Sequence, residues 1–399
     1  MAGYIFTISK NNWDDFINNN LNYGVFSPRT IPYTDKVTPT DTKKKTSEKM
    51  SDNKKKRICR TLSAIFGDFV TMKENDNIYF LSDRKIYGIG KAVKIGKDCK
   101  YDNYLEASAL LPIDEYHSKT LIVHDYLCRW FVCYLPAPHF FKKGADMDDI
   151  LKYKPNSFKM LRAFEGKSFI KIDDEENMAL REFISLTNEP YYQNKEEFIY
   201  KFNPQIHKDL EKEDLTDYIM DLEKAIKYKD NFKYVESEMF IESIFMQKLI
   251  RKQITFSGSW DYITHQLIAS PFKPISYVDW IDIFGYKFSS KYKYKPPLIM
   301  KYFLIETKKD KVNQSAVEQT MQYLDWICKE YASGNYSLID AYVICSSTVR
   351  NIHEILSQTC ERSYIIESHP AKPKKWNSFK IITYKIDKVF CNVSFELLI

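Results

Sequence analysis

The stretch "YFLIETKKDK" (302–311) places an acid and a base two residues apart at the end of an apolar run. Tyr302 to Ile305 are of the kind that fills a strand covered on both faces. Side chains alternate along a strand, so Glu306 and Lys308 share one face and Thr307 takes the other. An ordinary ion pair would account for the two, but charges at the end of a buried strand carry a desolvation cost that needs compensation. Three neighbours point to chemistry instead. Asp282, in "DWIDIFG", lies 24 residues before Glu306, a spacing suited to adjacent antiparallel strands joined by the polar hairpin "KFSSKYKYKPP". Carboxylates from two such strands can converge on one hard cation, and Mg²⁺ takes one or two carboxylates along with waters and phosphate oxygens. Downstream, "QTMQY" sets Gln319 and Tyr323 four apart on one face of a helix, where they would brace the strand end. Upstream, "ESEMFIESIF" offers Glu238 and Glu242, also four apart, either able to reach a metal or its waters. Asp261 and Asp279 are alternates to Asp282, although neither precedes the Ile-Phe-Gly turn. His265 and His353 have no partner at a fixed spacing and read as structural.

These residues need a scaffold, and the flanking pattern supplies one. In "YVESEMFIESIFMQKLIRKQ", Val235, Met239, Glu242 and Phe245 or Met246 recur at steps of three and four, which predicts a helix. Strands follow around "YVDWIDIFGYKF" and "PLIMKYFLIETKK", then a helix over "SAVEQTMQYLDWICKEYA", a strand at "LIDAYVICS", a helix at "VRNIHEILSQTC" and closing strands in "FKIITYKID". Helix, strands, helix, strand, helix describe an α/β sheet with covered faces.

With Asp282 before Ile-Phe-Gly, the apolar run ending in Glu306-Thr307-Lys308, and Gln319 with Tyr323 as Q-x-x-x-Y, the region 231–350 resembles the PD-(D/E)XK nuclease superfamily, in particular its RecB-like and NucS-like members. The resemblance implies that Asp282 and Glu306 are metal ligands and that Lys308 orients or activates the attacking water. It also implies that Gln319 and Tyr323 support the site or contact DNA, and that Glu242 or Glu238 is the acid of the first helix. The cofactor would be Mg²⁺ or Mn²⁺. One departure is that no Pro precedes Asp282.

The first half reads as mostly β: "GYIFTIS", "FGDFVTM", "NIYFLSD", "KIYGIGKAVKI", two candidates within "TLIVHDYLCRWFVCYL", and a strand running into a helix in "SFKMLRAFEGKSFIKIDDEENMALREFI". "YIFTISKNNW", "GD…YGIGKAV" and "LRAFEGKSFIKIDDEEN" resemble the PUA-like group that includes EVE and YTH domains, small β-barrels that bind a modified base. That resemblance implies a flipped base held between aromatic faces, with Trp13, Tyr87 and Trp130 as candidate faces and Ser9, Asn11 and Ser82 as polar edges. "PAPHFF" (136–141) reads either as a pocket rim or as an ordinary loop.

The expected architecture is therefore α/β (α+β): a PUA-like β-barrel domain at 1–185, a helical connector at 186–230, where "NKEEFIYKF" and "LTDYIMDLEKAIKYKD" carry helix-like spacing, and a restriction-endonuclease-like mixed sheet flanked by helices at 231–399. A length of 399 residues fits two domains. The net charge is +6, and Lys36 to Arg60 holds ten Lys or Arg against three acids. That segment reads as a flexible basic insertion at 35–60, too poor in apolar residues to fold and attractive to any polyanion. No run is long enough for a membrane span, the N-terminus does not read as a signal peptide, and a cytoplasmic location is expected. Eight cysteines without CxxC pairs or zinc spacing read as reduced thiols. The function expected is a metal-dependent DNA endonuclease, a restriction or antiviral defence enzyme sensing modified DNA. The alternatives are an RNase or a mismatch- or branch-specific endonuclease of the same superfamily, or a non-catalytic nucleic-acid-binding scaffold. Double-strand cleavage with one site per chain would favour a homodimer, and a partner ATPase stays open.

Overall fold

The computed structural model describes residues 2–13, 16, 24–26, 30–31, 65–104, 128–137, 143–163, 169–189, 202–223, 237–254, 258–270, 278–289, 298–387, 389 and 392–399. The basic segment 35–60 and most of "PAPHFF" lie outside these. The chain is mixed α and β and divides into two compact units, 1–51 with 72–221 and 52–71 with 222–399.

The first unit is built on strands β1 (Gly3–Thr7), β2 (Val25–Phe26), β3 (Thr30–Ile31), β4 (Asn77–Ser82), β5 (Lys85–Ala92), β6 (Lys100–Tyr104), β7 (Cys128–Pro136), β8 (Ala145–Asp146) and β9 (Phe169–Ile172). The order is β2-β7-β5-β4-β1-β9, with β3 and β6 on β7 and β8 on β5. β1 runs parallel to β4 and antiparallel to β9. The β4–β5 hairpin turns on Asp83 and Arg84, both at positive φ (49° and 61°), the backbone that a two-residue primed turn requires. Phe6, Phe16, Phe26 and Phe80 fill the core around β1 and β4 with ring centroids 4.5–6.3 Å apart. Helices α1 (Met147–Tyr153), α2 (Asp174–Thr187) and α3 (Gln205–Lys212) complete this unit.

Two readings of the sequence are corrected. "LTDYIM" was expected to be helical, but 213–223 is a chain of turns, and Leu215 and Tyr218 pack with Ile206 and Leu210 of α3 against Val25, Tyr101 and Phe131 of the sheet. Asp214 accepts from the backbone N–H of Thr216 at 3.0 Å, a local bond that competes with helix formation. "FGDFVTM" was expected to be a strand of the first domain. Instead 65–70 is helical and buried throughout, its apolar residues Ile65, Phe66, Phe69 and Val70 falling at the steps of a helix, and it belongs to the second unit.

The second unit is a six-stranded sheet of β10 (Tyr262–Ile268), β11 (Trp280–Phe288), β12 (Ile299–Thr307), β14 (Ile339–Cys345), β18 (Phe379–Asp387) and β19 (Asn392–Leu397), adjacent in that order. β10, β11 and β12 are antiparallel neighbours; β12, β14 and β18 run parallel; β19 closes the edge antiparallel. The short β13 (Lys311–Val312) and β15 (Ser347–Thr348) pair with each other, as do β16 (Arg362–Ser368) and β17 (Ala371–Trp376) in a ribbon that the sequence reading did not anticipate. Helix α4 (Glu238–Ile250) precedes the sheet, α5 (Gln314–Glu330) makes the crossover from β12 to β14, and α6 (Ile352–Thr359) lies against α5. α4 starts at Ser237, whose hydroxyl accepts from the Phe240 N–H, and α5 at Asn313, which accepts from Ala316 N–H. α4 buries residues on every side, as a helix in the middle of a layered unit must.

No helix among the described residues is long and apolar enough to cross a membrane. Cys99, Cys133, Cys328 and Cys345 are buried free thiols and Cys360 is half-buried.

Gly285, at the centre of β11, has no space for a side chain: an added Cβ would lie 2.2 Å from the Phe303 ring and 2.5 Å from the Tyr262 carbonyl oxygen. The carbonyl is part of the β10 ladder and has little freedom to retreat. Gly285→Ala is expected to cost at least about 1–3 kcal/mol, read as a lower urea midpoint with an unchanged slope.

Candidate active site

The register of β11 on β12 pairs Ile283 with Ile305, so the next pair toward the end of β12 is Asp282 with Glu306. Both point to the face opposite that of their Ile neighbours. Thr307 closes the corner, its N–H donating to Asp282 Oδ2 at 2.8 Å. On the other flank, β10 keeps one register along β11 from Tyr262–Tyr286 to Ile268–Trp280, and the pairing omits only the position opposite Asp282. The residue skipped, Gln266, sits at φ 58° and donates from Nε2 to Asp282 Oδ1 at 3.3 Å. A non-glycine residue held in this backbone region inside a strand is strained, and the strain falls beside the carboxylate.

Lys308 donates from Nζ to Glu306 Oε1 at 2.7 Å and to Gln319 Oε1 at 3.1 Å. An ammonium has no acceptor capacity, so it fixes the orientation of the Gln319 amide, whose Nε2 then donates to Tyr323 Oη at 3.0 Å. The four-residue spacing on α5 thus makes a relay that ends on the ion pair. From α4, Glu238 Oε1 accepts the Lys309 N–H at 3.1 Å, and Glu242 Oε2 lies 2.5 Å from His265 Nε2. His265 and Glu242 are 1% and 2% exposed.

Three carboxyl groups therefore gather in a poorly solvated place. Burial, then the Glu306 and Glu238 charges, push Glu242 up to about 8 against the pull of Lys308. Burial, then Glu242 and Glu306, hold Asp282 well above the usual carboxylate range. Burial raises Glu306 as well, and Lys308 opposes it. For Lys308, burial acts to lower the value, but Glu306, Asp282 and Glu238 outweigh it and hold the ammonium charged. Lys308 is thus suited to orient a group by donation, not to accept a proton from it.

Among the described residues, no three His, Cys, Asp or Glu side chains are arranged to hold a metal ion by themselves. A Mg²⁺ site that keeps waters and substrate oxygens needs only one or two carboxylates, and the donor set fits that. Glu306 Oε2 is buried with no hydrogen-bond partner, a condition that costs about 1–3 kcal/mol unless something satisfies it. A cation held by Glu306 and Asp282 would satisfy this oxygen and offset the repulsion that adds to burial in raising Glu242 and Asp282.

The seven residues singled out for catalysis are thus gathered at one end of the sheet: Asp282, Glu306, Lys308, Gln319 and Tyr323 directly, with Glu242 and Glu238 on the adjacent helix. Three participants were not foreseen. His265 was read as structural and partners Glu242 instead. Asp68, from the helix at 65–70, accepts the His265 N–H at 2.8 Å and the Thr264 hydroxyl at 3.2 Å. Gln266 braces Asp282. No sequence signal announced Asp68, whose segment was read as a strand; the His265 contact spans 23 residues and needs the fold. Asp261 is engaged by Phe288 N–H at 2.7 Å, Asp279 lines a cleft beside the site, and His353 is exposed on α6.

In the first unit the proposed base-binding residues fare differently. Trp13 and Tyr87, both half-buried, lie 4.3 Å apart between ring centroids. In contact with each other, they form one platform, not two jaws with room for a base between them. Trp130 is 3% exposed, inside the core where β7 pairs with β6, and Ser82 is equally buried at the end of β4. Both take inward positions of the sheet, where side chains pack against its own core. Ser9 and Asn11 are exposed near Trp13, where Lys10 bonds Asp83 at 2.7 Å.

No family model, no curated protein and no solved structure matches this chain.

Because Glu242, Asp282 and Glu306 are raised in the folded state, the fold binds more protons than the unfolded chain from about pH 4 up to about 8 for Glu242. Stability then falls as pH rises through that window. Metal-free protein is expected to have a lower unfolding temperature at pH 8 than at pH 5, and Glu242→Gln to make the slope shallower. Glu176 in the first unit, pushed up to about 8 chiefly by burial, contributes with the same sign, so part of the slope persists. An unchanged slope in Glu242→Gln would assign the effect elsewhere.

Proposed function

We propose that the second unit is a divalent-metal-dependent nuclease of the restriction-endonuclease-like class, hydrolysing phosphodiester bonds in DNA. The observation that carries this reading is that Asp282 and Glu306 each stand directly beside the Ile283–Ile305 pair of neighbouring strands, with Lys308 bonded to Glu306 and Glu306 Oε2 buried without a partner. Glu306 and Asp282 would hold Mg²⁺ or Mn²⁺, with Glu242 on the adjacent helix. When bound, such a cation neutralises phosphate charge and lowers the pKa of its water. Lys308, charged and aimed by Gln319, would donate to the attacking water or to a phosphate oxygen and orient it. Gln319 and Tyr323 hold Lys308 in place, and His265 holds Glu242. The mixed sheet with its crossover helix agrees with the class.

For the first unit, a PUA-like role as reader of marked DNA is retained in narrower form. Its support is the half-buried Trp13–Tyr87 platform beside exposed Ser9 and Asn11, a surface on which a base could stack. Together the two units would make a modification-sensing restriction or defence enzyme.

The decisive assay incubates the full chain with Mg²⁺ or Mn²⁺ and plasmid or phage DNA carrying cytosine or adenine modifications, alongside unmodified DNA. Wild type is expected to nick or cut, and Glu306→Ala and Lys308→Ala to lose at least about 100-fold in rate, the scale of removing one preorganised group. Calorimetry should show Mn²⁺ affinity falling in Glu306→Ala and persisting in Lys308→Ala. DNA binding without cleavage under either metal would favour a scaffold. Trp13→Ala is expected to change which DNA is cut while leaving Mn²⁺ affinity intact; selectivity equal to wild type would remove the reader role.

A further inference from the structure

Beside the carboxylates lies a cleft of about 460 Å³ that the chemistry above does not use. Its wall is one face of α5, where Gln319, Gln322, Tyr323 and Trp326 fall at steps of three, four and seven along the helix. The opposite face of α5, through Val317, Met321, Leu324 and Ile327, is buried in the unit. The far wall includes Asp279, just before β11, and Glu318 lies at the rim. The volume is within the range of small-molecule pockets.

The lining decides what would enter. Among the described residues that line it there is no Lys or Arg, and two carboxylates, Asp279 and Glu318, face it, a lining that disfavours a phosphate. It offers amide groups from Gln319 and Gln322, a phenol from Tyr323, and the half-buried indole of Trp326, whose ring touches Tyr331 edge-on at 5.5 Å between centroids. A planar, neutral ligand with several hydrogen-bonding edges fits this lining, and carboxylates accept from the exocyclic amines such a ligand carries. The cleft is joined to the carboxylate pair by Gln319, which lines it and accepts from Lys308 at 3.1 Å. A group in this cleft and a group at Glu306 would be neighbours across Gln319 and Lys308.

We infer that this cleft receives a single unpaired nucleobase from the nucleotide next to the bond being cut, stacked on Trp326 and read at its edge by Gln322. The substrate class that follows is single-stranded, frayed or branched nucleic acid, because a base inside a duplex is stacked and paired and must be extruded first. This rests on the nuclease reading for its account of the adjacent bond, but the binding of the base does not depend on cleavage.

The experiment uses the full chain in two arms. In the first, without divalent metal, fluorescence anisotropy compares a labelled single-stranded 12-mer with the same sequence as a duplex. Stacking on an aromatic side chain is worth about 1–3 kcal/mol per base, so Trp326→Ala should weaken the single strand by about ten-fold or more and the duplex by less than about two-fold. Trp326→Phe should restore most of the loss. Gln322 is exposed on the helix, so Gln322→Ala should fold normally and lower affinity for the single strand in the same selective way. In the second arm, with Mn²⁺, wild type should cut single-stranded or flapped DNA faster than duplex, and Trp326→Ala should erase that preference. Equal weakening of both forms, or none in Gln322→Ala and Trp326→Ala, overturns the base cleft. Selective weakening in the first arm without cleavage of any DNA by wild type supports the cleft and sinks the nuclease reading instead.

Discussion

The second unit is organised around one electrostatic conflict: carboxyl groups from two neighbouring strands and a helix brought together where water cannot fully solvate them. Asp282 and Glu306 each stand directly beside the Ile283–Ile305 pair of the β11–β12 ladder, so the sheet fixes where both backbones lie. Lys308 relieves part of the repulsion, and one oxygen of Glu306 remains unsatisfied. Such a cluster is stabilised by a proton or a cation, and at neutral pH the two compete. A fold that retains this arrangement stores binding energy for a positive ion at one place.

The surroundings hold the conflict fixed. Thr307 and Gln266 occupy both oxygens of Asp282, the Lys308–Gln319–Tyr323 relay ties the strand end to α5, and Glu242 is held to His265. His265 is in turn anchored through its backbone by Asp68. The site is thus mounted on strands and helices, with backbone positions that tolerate little displacement. The proposed chemistry and the cleft along α5 share one connecting side chain, Gln319, so positioning of the reacting bond and selection of its neighbour would be mechanically linked.

Much of this second unit was legible in the sequence. The apolar run before Glu306, the interval from Asp282 and the stepwise spacing on α5 report strand and helix periodicity, which is local. The helix 65–70 was not, because so short a stretch is compatible with either period, and it is buried along its whole length. The turns at 213–223 lost their helical reading to side-chain-to-backbone bonds and to the first unit's core. The burial of Trp130 and Ser82 was not legible for a related reason: sequence gives the residue type that could stack or hydrogen-bond, but not which face of a strand is turned inward.

Residue type and spacing by themselves determined that Asp282, Glu306, Lys308, Gln319 and Tyr323 sit on strand and helix positions able to share a face, because periodicity acts over a few residues. Tertiary structure alone decided that Glu242 meets His265, that Asp68 reaches across from a distant segment, that Trp13 touches Tyr87, and that a polar cleft opens beside α5. Those contacts join residues far apart in the chain, and their energies come from packing and shared burial, quantities that no local window of sequence contains.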